Sequence, residues 1–418
     1  MIAIRTKKYI KATIEAPPSK SYTNRALLIA ALAKGKSIIK SPLFSDDTEY
    51  MISALNQFGV RTKRKSKDII VYGTGGRLEH PKSQVFVGNA GTTMRFLTTL
   101  SCLIDGQTIL TGEKRMHQRP IKDLLDALQQ LGARSESNNG FPPVKIYGGT
   151  FNGGNIKLKG NISSQYLSSI LMCSPYAKHD TTINITGGMT SKPYVDVTLD
   201  IMKDFGVSVK NINYKKFAIK SGQFYRSRNY TIEGDASNAS YFFAAAAITK
   251  GRIKVKNINP NSKQGDIKFV DLLKKMGCKV KKGIGFVEIQ GNSLKGIDVD
   301  MNNMPDVVPT LAVTSLFSDS TTRIRNVLNL RIKETDRLRA LEIELRKLGG
   351  DVKESEDGIT IKRRRLHKAI IETYNDHRMA MSFAVAGLAI SGVRIKNPAC
   401  VKKSFPDFWK KFEQLYKK

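Results

Sequence analysis

The sequence predicts an α/β repeat protein of two lobes, each built from three helix-strand-helix-strand-strand units and joined by a two-strand hinge. Three observations carry this reading. A polar-capped apolar helix followed by a strand-like run occurs six times, at 19–40, 88–112, 163–187, 237–257, 305–326 and 373–397. Five further amphipathic helices end in a common turn around Gly59, Gly132, Gly206, Gly277 and Gly349, at spacings of 73, 74, 71 and 72 residues. Glycine just past the last periodic residue is a helix stop. Finally, TIEAPPSKSYTNRALL from Thr13 matches TIEGDASNASYFFAAA from Thr231, an offset of 218 residues that corresponds to three units.

Taken in order, residues 1–15 are strand-like and have no helix before them. The sixth unit stops inside its second helix, so the N-terminus is expected to supply its missing strands. The chain is expected to cross between lobes near Ala16–Ser19 and Glu233–Asp235, where Pro17, Pro18 and Gly234 punctuate it. Residues 1–15 and 235–418 then form one lobe and residues 16–234 the other, with hinge closure over a cleft. Beyond each turn glycine lies a hairpin-like segment, such as VRTKRKSKDIIVYG at 60–73.

The chemistry concentrates at the six helix starts and in the loops after the strands. Helix N-termini present unsatisfied N–H groups and favour anions. The first start offers Lys20, Ser21 and Arg25; the second offers Asn89 and Gly91, followed by Arg95. The third gives Ser163, Ser164 and Gln165, and Asp306 opens the fifth. The sixth reads Asn375-Asp376-His377-Arg378, with Asn375 or Asp376 as cap and Gly392 as the stop before the next strand. The loops add Arg119, Ser191, Tyr194, Asn329, Lys333, Glu334, Arg337 and Lys403. Arginine forks suit carboxylates and lysines suit phosphate oxygens. Asp306 or Glu334 is left for proton transfer. Singly, each of these segments also reads as an ordinary cap or turn.

Bulk properties narrow the class. With 40% hydrophobic residues, the 418-residue chain can bury large cores. No apolar run reaches the roughly 18–20 residues of a membrane span, and the N-terminus lacks a secretory h-region. The four cysteines are scattered, without CxxC spacing, so neither a zinc site nor a disulfide framework is indicated. No HExxH or Walker A pattern occurs. A reducing cytoplasm, no metal and no cofactor are expected. The formal charge of +33 suits nucleic acid, an anionic surface or small anions. The densest runs, 63–67 and 362–365, lie beside hairpins without interleaved aromatics, which favours a solvated face.

The segments PPSKSYTNRALL, GNAGTTMR, QRPI, SSQYL, SKPY, EGDASNASYF, NSKQGD, MPD, RIKETDRL, TYNDHRMAM and KKSFPD run in order from residue 17 to 407. In this order they resemble the 5-enolpyruvylshikimate-3-phosphate synthases. The resemblance implies an inside-out α/β barrel in each lobe. It also implies transfer of the enolpyruvyl group of phosphoenolpyruvate to the 5-hydroxyl of shikimate 3-phosphate, through a tetrahedral intermediate, with release of phosphate. Shikimate 3-phosphate would meet Lys20, Ser21, Arg25, Ser163, Ser164, Gln165, Ser191, Tyr194, Asp306, Asn329 and Lys333. Phosphoenolpyruvate would meet Lys20, Asn89, Gly91, Arg119, Gln165, Arg337, Arg378 and Lys403. Asp306, Glu334 and Lys20 would carry the proton transfers, their division left open.

A departure from the family pattern is Phe96, where many members have proline; Thr93 replaces a common alanine. Gly91 would leave room for glyphosate as a competitor of phosphoenolpyruvate. A monomer acting on small anions, with neither nucleic acid nor membrane as partner, is expected. The alternatives are transfer of enolpyruvyl to UDP-N-acetylglucosamine, disfavoured because GEKRMHQRP holds no cysteine, and a basic nucleic-acid-binding protein.

Overall fold

Polypeptide geometry gives each predicted unit one strand more than its sequence shows. The structure, a computed structural model, describes residues 1–417. It is mixed α/β, with twelve α-helices and six small sheets among those residues, none of them a closed barrel. The helices are α1 (Lys20–Leu32), α2 (Asp46–Gln57), α3 (Gly91–Leu100), α4 (Lys122–Gln130), α5 (Ser164–Cys173) and α6 (Lys192–Asp204). They continue as α7 (Ala236–Ile248), α8 (Phe269–Lys275), α9 (Val308–Ser315), α10 (Arg337–Lys347), α11 (His377–Gly387) and α12 (Phe408–Glu413).

The chain divides into two compact units. A central unit comprises Ser19–Ile232, and a discontinuous unit comprises Met1–Pro18 with Glu233–Lys418. In the central unit, Val85–Phe86 runs parallel to Gly106–Thr111, and Gly154–Lys159 runs parallel to Thr181–Thr186. Each pair brackets a helix, α3 or α5, so a parallel strand precedes the helix of each unit. An antiparallel hairpin then completes the sheet, as Arg61–Lys65 with Asp68–Thr74 does beside Lys34–Lys40.

The strands nearest the chain crossings are exchanged. Lys11–Glu15 precedes α1 but pairs parallel with Arg252–Lys256 in the discontinuous unit. Asn229–Thr231 precedes α7 but pairs parallel with Lys34–Lys40 in the central unit. Of the N-terminal strands, only Ile2–Ala3 joins the sixth sheet, antiparallel to Arg394–Ile395. The physical reason is that Asn229–Thr231 is taken up by the central unit, which leaves the parallel edge of Arg252–Lys256 to Lys11–Glu15, with the whole central unit as the long crossover that parallel pairing needs. Pro18 and Gly234 form an antiparallel bridge beside this exchange.

Within each unit the first helix of every repeat is buried. All thirteen residues of α7 are buried, consistent with its ASNASYFFAAAAI sequence, which is apolar or small all round. Helices α7, α9 and α11 pack on one another, and their hydroxyls line up as Ser240, Thr310 and Ser382 at 3.1 and 3.4 Å. Each fully buried Leu, Ile or Phe on these helices contributes about 1.5–3 kcal/mol. Basic runs 63–67 and 362–365 are exposed, the first within a hairpin. No helix among the described residues is long and apolar enough to cross a membrane.

Candidate active site

In the central unit, polar residues collect where α1, α3, α5 and α6 begin. Ser19 caps α1, its Oγ accepting from the Tyr22 amide, so Lys20 stands at the first helical position. The Lys20 ammonium lies 2.8 Å from the buried carboxylate of Asp47, in the first turn of α2. One turn further along, Arg25 is almost wholly buried. Its Nε donates to Thr198 Oγ1 at 2.7 Å, and its terminal nitrogens donate to the Ser21 carbonyl, Ser168 Oγ and the Tyr194 carbonyl. All these acceptors are neutral. The Phe96 ring faces the same guanidinium at 5.2 Å. Burial pulls the Arg25 pKa down to about 10, so the group is still a cation at neutral pH. A buried cation among neutral oxygens is stabilised by an incoming anion.

Arg119 is buried, with one terminal nitrogen 3.0 Å from the Asn89 carbonyl and 3.1 Å from its side-chain oxygen. That guanidinium lies so close to Gly91, the first residue of α3, that a methyl group there would approach it to 2.3 Å. Arg95 donates to the Gly91 carbonyl at 3.2 Å and to the Pro120 carbonyl at 3.0 Å. Gln165 donates to Thr92 Oγ1 at 3.0 Å and so ties the start of α5 to that of α3. Ser163 caps α5 and accepts from the Gln165 amide; Ser164 beside it is buried. Ser191 precedes α6 in a left-handed conformation (φ 56°), and Tyr194 lies in the first turn, where its carbonyl accepts from Arg25 at 3.3 Å.

In the discontinuous unit, Asp306 lies in the 3-10 turn Pro305–Val307 that opens α9. Arg337 opens α10, and Asp376 caps α11, accepting from the Arg378 amide at 2.8 Å. Gly392, expected as the stop of α11, lies five residues beyond its end, in a left-handed turn before Arg394–Ile395. Arg337 touches three carboxylates: Asp376 at 2.8 Å, Glu334 at 2.7 Å and Asp306 at 3.4 Å. Burial alone would lower its pKa, but these three acids outweigh burial and raise it, so its charge is locked. Arg378 reaches Asp306 from another side at 2.6 Å, and Lys403 lies 3.9 Å from Glu334. Arg378 also approaches the Tyr241 hydroxyl at 3.5 Å; burial pushes that phenol up to about 12. Asn329 is buried in the turn Leu328–Ile332, and Lys333 follows it half-buried. His377 is buried with Nδ1 3.6 Å from Asp376.

The structure thus brings Asp306, Glu334, Arg337, Arg378 and Lys403 into direct contact, and Lys20, Arg25, Asn89, Gly91, Arg119, Gln165 and Tyr194 into local contacts at helix starts. Sequence reasoning missed Asp47, Thr92, Ser168 and Thr198 as partners. An acid in the first turn of a helix has an ordinary explanation in the helix dipole, so Asp47 carried no signal of its own.

Fold and site together define an α/β repeat protein that gathers basic residues at helix starts in one unit and an arginine-held acid cluster in the other. The family model for EPSP synthase (3-phosphoshikimate 1-carboxyvinyltransferase) matches residues 4–412, and the chain belongs to that family. A 3-phosphoshikimate 1-carboxyvinyltransferase of Trichormus variabilis is 48% identical over 411 residues, covering 97% of this chain and 96% of the relative. One from Haemophilus influenzae is 49% identical over 418 residues, with the same coverage of each chain. The solved EPSP synthase of Acinetobacter baumannii superposes with a TM-score of 0.81 at 27% identity, covering 99% of this chain and 97% of that one.

Proposed function

We infer that the chain is a transferase of aromatic amino-acid biosynthesis. It moves the enolpyruvyl group of phosphoenolpyruvate to the 5-hydroxyl of shikimate 3-phosphate and releases phosphate. Family membership supports the reaction, and one observation carries its assignment to residues. A single buried arginine, Arg337, touches both acids that proton transfer would need, Asp306 and Glu334, while Arg378 grips Asp306 from a second side.

In this reading Lys20, Ser21, Arg25, Ser163, Ser164, Gln165, Ser191 and Tyr194, with Asp306, Asn329 and Lys333, hold shikimate 3-phosphate. Lys20, Asn89, Gly91, Arg119, Gln165, Arg337, Arg378 and Lys403 hold phosphoenolpyruvate. Asp306 accepts the proton of the attacking hydroxyl, and Lys20 or Glu334 protonates the methylene carbon. The hydroxyl oxygen bonds to the resulting cationic carbon; the tetrahedral intermediate then collapses as its C–O bond to phosphate breaks and its methyl group returns a proton, which restores the carbon–carbon double bond. A positioned acid or base contributes about 10²–10⁴-fold. The arginines and lysines neutralise charge on the departing phosphate.

Phosphate release from phosphoenolpyruvate should require shikimate 3-phosphate and should not occur with UDP-N-acetylglucosamine. Release with the nucleotide sugar alone would replace this reading with the sister reaction. We also propose that glyphosate competes with phosphoenolpyruvate beside Gly91; inhibition indifferent to phosphoenolpyruvate concentration would rule that out. A cytoplasmic monomer completes the proposal, and light scattering that returned twice the mass of one chain would contradict the monomer.

A further inference from the structure

Glu344 is a buried acid that the proposed chemistry does not use. It lies two turns beyond Arg337 on α10, its side chain fully inaccessible. Its oxygens take the Lys347 ammonium at 2.8 and 3.0 Å, the Glu372 amide at 3.1 Å and the Tyr374 hydroxyl at 2.7 Å. A buried carboxylate costs several kcal/mol unless its lone pairs are met, and here they are met by the Lys347 ammonium and by two donors of one loop.

That loop is strained. Tyr374 and Asn375 both adopt left-handed conformations, each with φ 53°. For a bulky residue such as tyrosine this costs on the order of 1–3 kcal/mol and persists only where neighbours enforce it. Glu344 holds Tyr374 by its hydroxyl, and Asn397 donates to the Asn375 side chain at 3.0 Å. The next residues are Asp376, which grips Arg337, and Arg378, which grips Asp306. Helix α10 is therefore clamped to the loop twice: in front by Arg337 on Asp376, and behind by Glu344 on Glu372 and Tyr374.

We propose that Glu344 is a positioning residue for phosphoenolpyruvate, because it enforces the Tyr374–Asn375 turn that aims Arg378 and Asp376. This rests on the functional reading above. Its effect reaches the substrate through the two arginines and spares the shikimate 3-phosphate contacts of the central unit.

The test is steady-state kinetics of the full chain, wild type against Glu344→Gln and Tyr374→Phe. The expected result is a KM for phosphoenolpyruvate raised about tenfold in Glu344→Gln and a few-fold in Tyr374→Phe, with the KM for shikimate 3-phosphate within about twofold. Tyr374→Phe removes the anchor while the Lys347 ammonium and the Glu372 amide still meet the Glu344 carboxylate, so it carries the test if Glu344→Gln fails to fold. An active wild type with both variants matching it, or with both KM values rising together, overturns this inference alone. A wild type that releases no phosphate overturns the functional reading and this inference with it.

Discussion

The two units hold their buried arginines in opposite ways. In the central unit, Arg25 is surrounded by hydroxyls and carbonyls and depends on an outside anion for charge balance. In the discontinuous unit, Arg337 is already balanced by Asp376, Glu334 and Asp306. On the proposed reading, the first arrangement serves binding, since the cation gains most when a phosphate or carboxylate arrives. The second would serve proton transfer, by holding Asp306 and Glu334 on one guanidinium in fixed geometry.

Removing each arginine should break the comparison open. Arg337→Met removes the cation that three carboxylates share, leaving Arg378 on Asp306 and Lys403 near Glu334 but taking the guanidinium from buried Asp376, so it should cost about 3–5 kcal/mol of stability and abolish turnover. Denaturant unfolding checks this, and wild-type stability would show that the acids do not depend on Arg337. Arg25→Met leaves no charge behind, so stability should change by less than about 1 kcal/mol while affinity for shikimate 3-phosphate falls on the order of 100-fold. Calorimetry that detects unchanged binding would end the claim that Arg25 awaits an anion.

Smaller effects sharpen the picture. Gly91→Ala places a methyl 2.3 Å from the Arg119 guanidinium, which must move. The KM for phosphoenolpyruvate should rise about tenfold with little change for shikimate 3-phosphate; equal effects on both substrates would show that Arg119 does not serve one of them.

The smallest effect involves the buried thiols of both units. Burial pushes Cys102 up to about 12 and Cys278 up to about 11. An unfolded thiol ionises near pH ~8.5, so above that the native state binds more protons and stability falls as pH rises. The contribution is whole below pH ~8.5 and is lost towards the folded values. Cys102→Ala should therefore flatten the decline of Tm between about pH 8 and 10; a slope equal to wild type would contradict this.

What was legible in the sequence follows from what is local. The repeat helices showed because capping residues and apolar runs are consecutive, and the turn glycines at 59, 132, 206, 277 and 349 all adopt positive φ. The strand before each helix was invisible where it is only two or three residues long, as at Val85–Phe86 and Ile370–Ile371, too short for alternation to register. Arg337, Arg378 and the acids Asp306, Glu334 and Asp376 could be named from their motifs, but not which acid meets which arginine. Asp47 and Glu344 escaped notice because an acid on a helix reads as solvated until tertiary contacts bury it. Phe96 shows the same limit: its place over the Arg25 guanidinium depends on packing between α1 and α3.

On the proposed reading, capture of shikimate 3-phosphate rests chiefly on Arg25 and its neighbours in the central unit, while removal of its hydroxyl proton rests on Asp306, held by Arg337 and Arg378. Calorimetric titration of Asp306→Asn protein with shikimate 3-phosphate, alongside its turnover, tests this most directly. The account predicts a Kd within about threefold of wild type with turnover reduced about 10²–10⁴-fold. Binding lost together with turnover, or turnover retained, would contradict it.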